Sequence, residues 1–171
     1  MYSTDNEILE VVDSQDKVTG TATRREIHKH GLLHRAVHIF VFNPADQIYI
    51  QRRSISKDRH PGKLDSSAAG HVDPGETYEQ AAIRELQEEL GIRAEVKEIL
   101  RVPASEQTDN EHVVLFKAVT ELEPVPDQEE IQWGAFMSCE RVTELIEEST
   151  DDFVPAFILL WRKAQLQCRL G

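Results

Sequence analysis

Cysteine is nearly missing from this 171-residue chain: Cys139 and Cys168 are widely spaced and form no CxxC pair. That argues against a disulfide framework and leaves reduced thiols in a cytoplasmic setting as the expectation. Long hydrophobic runs are missing too. FVPAFILLW is shorter than the ~18 apolar residues a membrane span needs, and it contains a proline. The opening MYSTDNEILE has neither a basic region nor an apolar core, so no secretory signal is expected. Basic residues are scarce: 19 Lys and Arg stand against 31 Asp and Glu, for a net charge of -12. Nucleic acid and anionic membranes are therefore excluded as partners held by bulk electrostatics, and an anionic small molecule would need a local basic patch. Aromatic residues make up 6%. Trp133, Phe136 and Trp161 could stack on a base, but large aromatics in a small domain more often build core. Repeats and low-complexity segments are absent. What remains is 40% hydrophobic, enough for one globular domain over residues 1–171.

Against that background, residues 70–92, GHVDPGETYEQAAIRELQEELGI, are unusually ordered. Glu85, Glu88 and Glu89 are related by i, i+3 and i+4, so a helix puts them on one patch. Like charges at that spacing weaken an isolated helix by roughly 0.2–0.5 kcal/mol per pair, and the C-terminal end of the helix dipole adds to the cost. Only Arg84 offers a basic partner within the helix. A solvated surface face is the plain alternative, but a divalent cation accounts better for the cluster, and oxygen ligands suit Mg²⁺ or Mn²⁺. Thr77 and Gln80 make a capping box that starts the helix, and Gly91 is placed to end it. Ala82, Ile83, Leu86 and Leu90 form the apolar stripe expected to face the core, with Glu85 and Glu89 at its rim.

The spacing G-x5-E-x7-R-E-U-x-E-E-x-G-U, with U aliphatic, is filled by Gly70, Glu76, Arg84, Glu85, Leu86, Glu88, Glu89, Gly91 and Ile92. Its seven invariant residues would coincide by chance on the order of once in ten million start positions. This segment resembles the Nudix box, a loop–helix–loop that holds divalent metal. The resemblance implies a Nudix-type α/β/α sandwich with a mixed sheet, and hydrolysis of a nucleoside diphosphate derivative or related diphosphate. Stretches such as VTGTATRREIHKHGLLHRAVHIFVFN and QRRSISKDRHPGKLDSSAAGHV are further similar to the branch of isopentenyl-diphosphate isomerase and its hydrolase-like (YfcD-type) bacterial relatives, over roughly residues 7–135. In the isomerase a cysteine precedes the Gly-His step, whereas this chain has Ala69. Losing that thiol removes one of two acid–base partners and turns the expectation from isomerisation to hydrolysis.

The resemblance carries site residues with it. Gly70 (through its carbonyl), Glu76, Glu85, Glu88 and Glu89 are implied metal ligands, for Mg²⁺ with Mn²⁺ as a substitute. Arg84 orients a neighbouring glutamate. Glu85, Glu88 and Glu111 are candidate general bases, and the sequence does not choose among them. His28, His34, His71, Asp109 and Glu111 match a second metal site of the isomerase and would suit Zn²⁺ or Mn²⁺. Asp109, however, is shorter than the glutamate usual there. His30, His38, His60 and His112 are read as packed or surface histidines. Arg52, Arg53, Lys57, Arg59 and Lys63 concentrate positive charge before the box. Arg53 and Lys57 align with diphosphate-binding positions. The expected partner is a small-molecule diphosphate.

Elsewhere the pattern predicts strands near 7–12 and 18–23, a helical turn at 25–30, and strands at 36–42 and 47–52 flanking an Asn-Pro-Ala-Asp turn. A polar loop follows over 54–64, and 65–72 lead into the box. Strands near 96–102, 113–119 and 132–137 come next, then amphipathic helices at 140–148 and about 156–167.

Overall fold

The computed structural model describes residues 4–166. Its centre is β3 (His34–Phe42), whose residues are buried almost without interruption. Both of its faces are covered, so the strand reads as one apolar run rather than an alternation. β3 runs parallel to β8 (Glu111–Val119), in register from His34↔Glu111 to Phe42↔Val119. It is antiparallel to β6 (Ala68–His71), with His38 opposite Ala69 and Val37 opposite Gly70. The sheet continues outward through β4 (Ile48–Arg53) to β5 (Leu64–Asp65) on one side and to β7 (Val96–Val102) on the other. β9 (Ile131–Met137) pairs antiparallel with β4. A separate hairpin, β1 (Ile8–Val12) and β2 (Val18–Thr23), precedes the sheet. Its turn is held by Asp13 Oδ1, which accepts the N–H groups of Gln15 and Lys17.

Four α-helices among the described residues complete the architecture. α1 (Arg24–His30) starts at a Thr23/Glu26 capping box and stops at Gly31, which takes the left-handed conformation. α2 (Tyr78–Leu90) starts at the Thr77/Gln80 capping box and stops at Gly91, φ 66°, as the sequence predicts. Ala81, Ala82, Leu86 and Leu90 pack it on Val37, Ile39, Val41 and Phe116 on one face of the sheet. α3 (Cys139–Glu148) and α4 (Pro155–Leu166) cover the opposite face. There Val142, Ile146, Phe157 and Trp161 meet Phe40, Phe42 and Leu115. The result is the expected α/β/α sandwich, and each fully buried Leu, Ile or Phe contributes roughly 1.5–3 kcal/mol.

Three local expectations are corrected. Ile83 does not belong to the buried stripe: it is 42% exposed, and Ala81 takes its place. One residue beyond Ala82, the helix has turned ~100° away from the sheet. Glu89 is not at a rim but only 6% exposed. Of the large aromatics, Trp161 is core, whereas Trp133 is exposed on the outer strand β9 with the Arg52 guanidinium 5.4 Å from its ring centroid. Cys139 is a free, half-buried thiol; Cys168 and Gln167 lie outside the described residues. No helix among the described residues is long and apolar enough to cross a membrane.

Candidate active site

A cavity of about 530 Å³ opens where β6, the N-terminal end of β3 and α2 converge. It is lined by Gly70, His71, Glu85, Glu88 and Glu89, by His28, Asp109 and Glu111, and by Arg53, Lys57 and Arg59. Helices α1 and α2, strands β4, β6 and β8 and two loops thus bring nearly all the expected residues together. Glu76 and His34 stand just behind this lining.

The glutamate side is built by α2 against β6. Glu85 presses so closely on the strand that a Cβ at Gly70 would overlap its carboxyl group. A side chain at Gly70 would therefore have to push the Glu85 carboxyl group aside, so the glycine is favoured by close approach and not by an unusual φ. Burial pushes the Glu85 carboxyl up to about 7, against the pull of Arg84. Burial and then the neighbouring Glu85 charge push Glu89 well above the usual carboxylate range, although Gln51 Nε2 donates to its Oε2 at 2.9 Å. Two buried acids that repel each other this strongly are what a divalent cation would relieve. Glu88 is different, with a side chain 59% exposed toward solvent and cavity.

Arg84 holds the group in place. It donates to both Glu76 oxygens at 2.9 and 3.0 Å, to Glu85 at 2.7 Å, to Glu88 at 3.3 Å, and to the His71 carbonyl at 2.9 Å. The Glu76 hydrogen bond and the surrounding acids raise the affinity of the guanidinium for its proton. Glu76 also accepts the Asp73 N–H. Its carboxylate is thus engaged by Arg84 and the turn, away from the cavity lining.

The histidine side joins α1, β3, β6 and β8. The ligand atoms of His28, His34 and His71 all lie within 4.8 Å of one another. His34 Nδ1 lies 3.1 Å from the Leu32 carbonyl, which can only accept, so Nδ1 carries a proton and Nε2 is the nitrogen turned toward the cluster. Nε2 of His34 and Nε2 of His28 are buried without a hydrogen-bond partner. Orphaned imidazole nitrogens converging on one point fit a metal ion. Glu111 Oε1 lies 3.4 Å from both His34 Nε2 and His71 Nε2. Burial and then the neighbouring imidazoles depress His28 to about 4. For His71 burial pulls the same way, but Glu111 and Glu7 outweigh it and lift the ring to about 9. Burial would raise Glu111, yet the two histidines hold it far below the usual range.

Asp109 stands apart from this group. Its carboxylate is taken by Arg59 and by His60 Nε2 at 2.7 Å. The shorter side chain on a left-handed backbone, φ 53°, is drawn toward the loop rather than toward the imidazoles. Arg53 donates to Asp65 at 3.1 Å, and Lys57 pairs with Glu130. The cationic wall therefore comes with its own carboxylates. Sequence reasoning missed Glu7, His38, Asp65 and Glu130, all of which line the cavity. His38 and His60 had been read as bland; of the other two, His30 is exposed and His112 is buried against the Asp13 carbonyl. Only the strand alternation of β3, which puts Ala36 and His38 on one face, carried a signal for His38.

The NUDIX domain family matches residues 32–157. An uncharacterized Nudix hydrolase of Pseudomonas aeruginosa is 37% identical over 143 residues, 83% of this chain and 85% of that protein. An isopentenyl-diphosphate Delta-isomerase of Pectobacterium atrosepticum is 30% identical over 158 residues, covering 90% and 88%. Among solved structures, a Deinococcus radiodurans protein superposes with a TM-score of 0.78 at 27% identity, covering 92% of this chain and 99% of its own. The NUDIX domain of Shewanella oneidensis NrtR, solved with ADP ribose, shares the fold at a TM-score of 0.65 and 14% identity, covering 86% and 99%. A box helix that sets Glu85 against Gly70 and a family match across most of the sheet lead to the same conclusion: this chain belongs to the Nudix family.

Proposed function

We propose that this chain is a Mg²⁺-dependent hydrolase, with Mn²⁺ able to substitute, that cleaves the P–O–P linkage of a small-molecule diphosphate by water attack at phosphorus. The observation that carries this reading is the close approach of Glu85 to Gly70, beside the buried Glu89, on the wall of an open cavity. Glu85, Glu89 and the Gly70 carbonyl are the proposed ligands, with Glu88 completing the set. A bound divalent ion neutralises phosphate charge and lowers the pKa of a coordinated water. Glu88, 59% exposed, is the carboxylate proposed to take the proton from the attacking water. Arg84 fixes the glutamates rather than the substrate. Arg53 and Lys57, opposite, bind phosphate oxygens, exchanging Asp65 and Glu130 for the substrate. The histidine cluster with Glu111 holds a second divalent ion. Glu111, tied to two imidazoles, is a poor proton acceptor and serves as a ligand.

An isomerase reading rests on the likeness to isopentenyl-diphosphate isomerases. Ala69 lines the cavity where that branch carries cysteine and offers no group for proton transfer. The two readings separate in one assay: a panel of diphosphates with Mg²⁺ or Mn²⁺, wild type beside Glu88→Gln. Phosphate or nucleotide release that collapses in Glu88→Gln is expected. Rearrangement of an isoprenoid diphosphate without release would overturn the hydrolase reading.

A further inference from the structure

The β1–β2 hairpin lies outside the family-matched residues 32–157, yet two of its acids grip the box. Glu10 Oε1 accepts the Gly75 N–H at 3.1 Å, in the loop between β6 and α2. Asp16, in the hairpin turn, accepts the Tyr78 hydroxyl on Oδ2 at 2.9 Å, at the first residue of α2. Arg35 of β3 ties the two acids together. Its Nη1 donates to Glu10 Oε2 at 3.1 Å, its Nε to Asp16 Oδ1 at 2.6 Å, and its Nη2 to the Asp16 carbonyl at 2.6 Å. The Arg35 carbonyl also accepts the Val72 N–H, where the loop begins. Hydrogen bonds between ionised partners are shorter and stronger than neutral ones. Loop start, loop and helix start are thus fixed to one frame.

This frame does more than close a hairpin. The Asp16 backbone is left-handed, φ 62°, a conformation that glycine adopts without steric cost. A turn alone therefore does not call for aspartate; the carboxylate, with both oxygens committed to Arg35 and Tyr78, does. What the frame holds is the segment that carries Glu76. Glu76 receives Arg84 Nε and Nη2 on its two oxygens, and Arg84 Nη1 donates onward to Glu85 and Glu88. The path from Glu10 to the cavity glutamates thus runs through the Gly75–Glu76 peptide unit and a single guanidinium. A shift of Glu76 passes to Glu85 and Glu88 together, as displaced outer partners of a metal site disturb its ligands.

We propose that Glu10 and Asp16 are positioning residues for the glutamate metal cluster, acting on Glu85 and Glu88 through the box loop, Glu76 and Arg84. The site of this chain is incomplete without its N-terminal hairpin. This rests on the reading of the α2 glutamates as ligands of a divalent ion.

The test needs no substrate. Calorimetry with Mn²⁺ alone, in a His34→Ala background that silences the histidine cluster, gives Kd at the glutamates. NMR of the metal-free protein follows the Arg84 Nε–H. Glu10→Ala and Asp16→Gly should each weaken Mn²⁺ binding about tenfold, the low end for outer partners of a metal site, and lose the protected Arg84 Nε–H. Glu10→Gln, which keeps an acceptor for the Gly75 N–H, should recover part of both. Val12→Ala, at a buried hairpin position outside the frame, should lower the thermal midpoint and leave both readouts unchanged. Asp16→Gly separates the roles most sharply, because glycine suits the left-handed turn: a purely structural aspartate predicts full Mn²⁺ affinity there. Unchanged Kd in Glu10→Ala and Asp16→Gly, or an equal loss in Val12→Ala, would overturn the proposal and leave the metal reading standing. Glutamates that bind no Mn²⁺ would remove both. Glu10-dependent Mn²⁺ binding without turnover of any diphosphate would keep the proposal and remove the hydrolase reading instead.

Discussion

The glutamate cluster and the histidine cluster touch neighbouring residues of one strand, Gly70 and His71 of β6, yet they are built in opposite ways. The glutamates come from a single helix and gather by helical spacing alone. The histidines come from α1, β3 and β6, with Glu111 from β8. Their electrostatics differ as well. In the first cluster burial and like charge lift Glu85 and Glu89. In the second, imidazoles and carboxylates divide the charge, sending His28 down and His71 up. A local cluster is strained by its own charges and calls for a cation. A dispersed one already contains part of its own neutralisation and shows its need through orphaned nitrogens.

That contrast can be broken at several points. The largest effect is expected from Glu89→Gln: turnover should fall roughly a thousandfold, the order expected when several kcal/mol of metal-assisted stabilisation are lost. The thermal midpoint of the metal-free protein should not fall, because a buried, repelled carboxylate is removed. A lower midpoint together with full activity would refute the ligand role. Gly70→Ala comes next. Its methyl displaces the Glu85 carboxyl, and activity should drop about a hundredfold while the circular dichroism spectrum is kept. His34→Ala should remove one class of bound divalent ion, read by metal analysis after gel filtration, while leaving the glutamate class in place. Loss of both classes would show that the two clusters form one site.

Protons sharpen the comparison further. At pH 7.5 His71 of the metal-free protein is charged and His28 neutral, so metal uptake at the histidines should release about one proton, seen by calorimetry in buffers of different ionisation enthalpy. The folded value of His71 is raised, so its contribution to metal-free stability is complete below about 6.5 and is lost as pH rises through about 9. His28 is depressed, so its contribution is present above about 6.5 and is lost as pH falls through about 4. A chelated sample should therefore melt highest between these limits. The smallest effect should follow Asp109→Ala, which leaves metal content unchanged because Arg59 and His60, not an ion, occupy that carboxylate.

How far the sequence reached follows the same division. The α2 boundaries and the strand positions were legible because capping boxes and periodicity are local signals, whereas the sandwich topology came through resemblance. The glutamate cluster was legible for the same reason. The histidine cluster came only through resemblance, since nothing in the spacing of residues 28, 34, 71 and 111 announces that the parallel pairing of β3 and β8 sets His34 beside Glu111. Asp109 was misplaced because its loop partners, Arg59 and His60, lie far off in sequence. His38 passed as bland because its contact with Ser66 and its place in the cavity wall are set by pairing across the sheet, which no local pattern describes.

The unbroken β3–β8 register has a consequence for how the molecule is checked as it forms. A slip of one residue would turn His34 and Glu111 to opposite faces and strip the histidine cluster of its carboxylate, while leaving the α2 glutamates intact. An ion captured by the histidines would thus act as an inspection stamp on the finished sheet, legible only when the two strands have closed on the right residues.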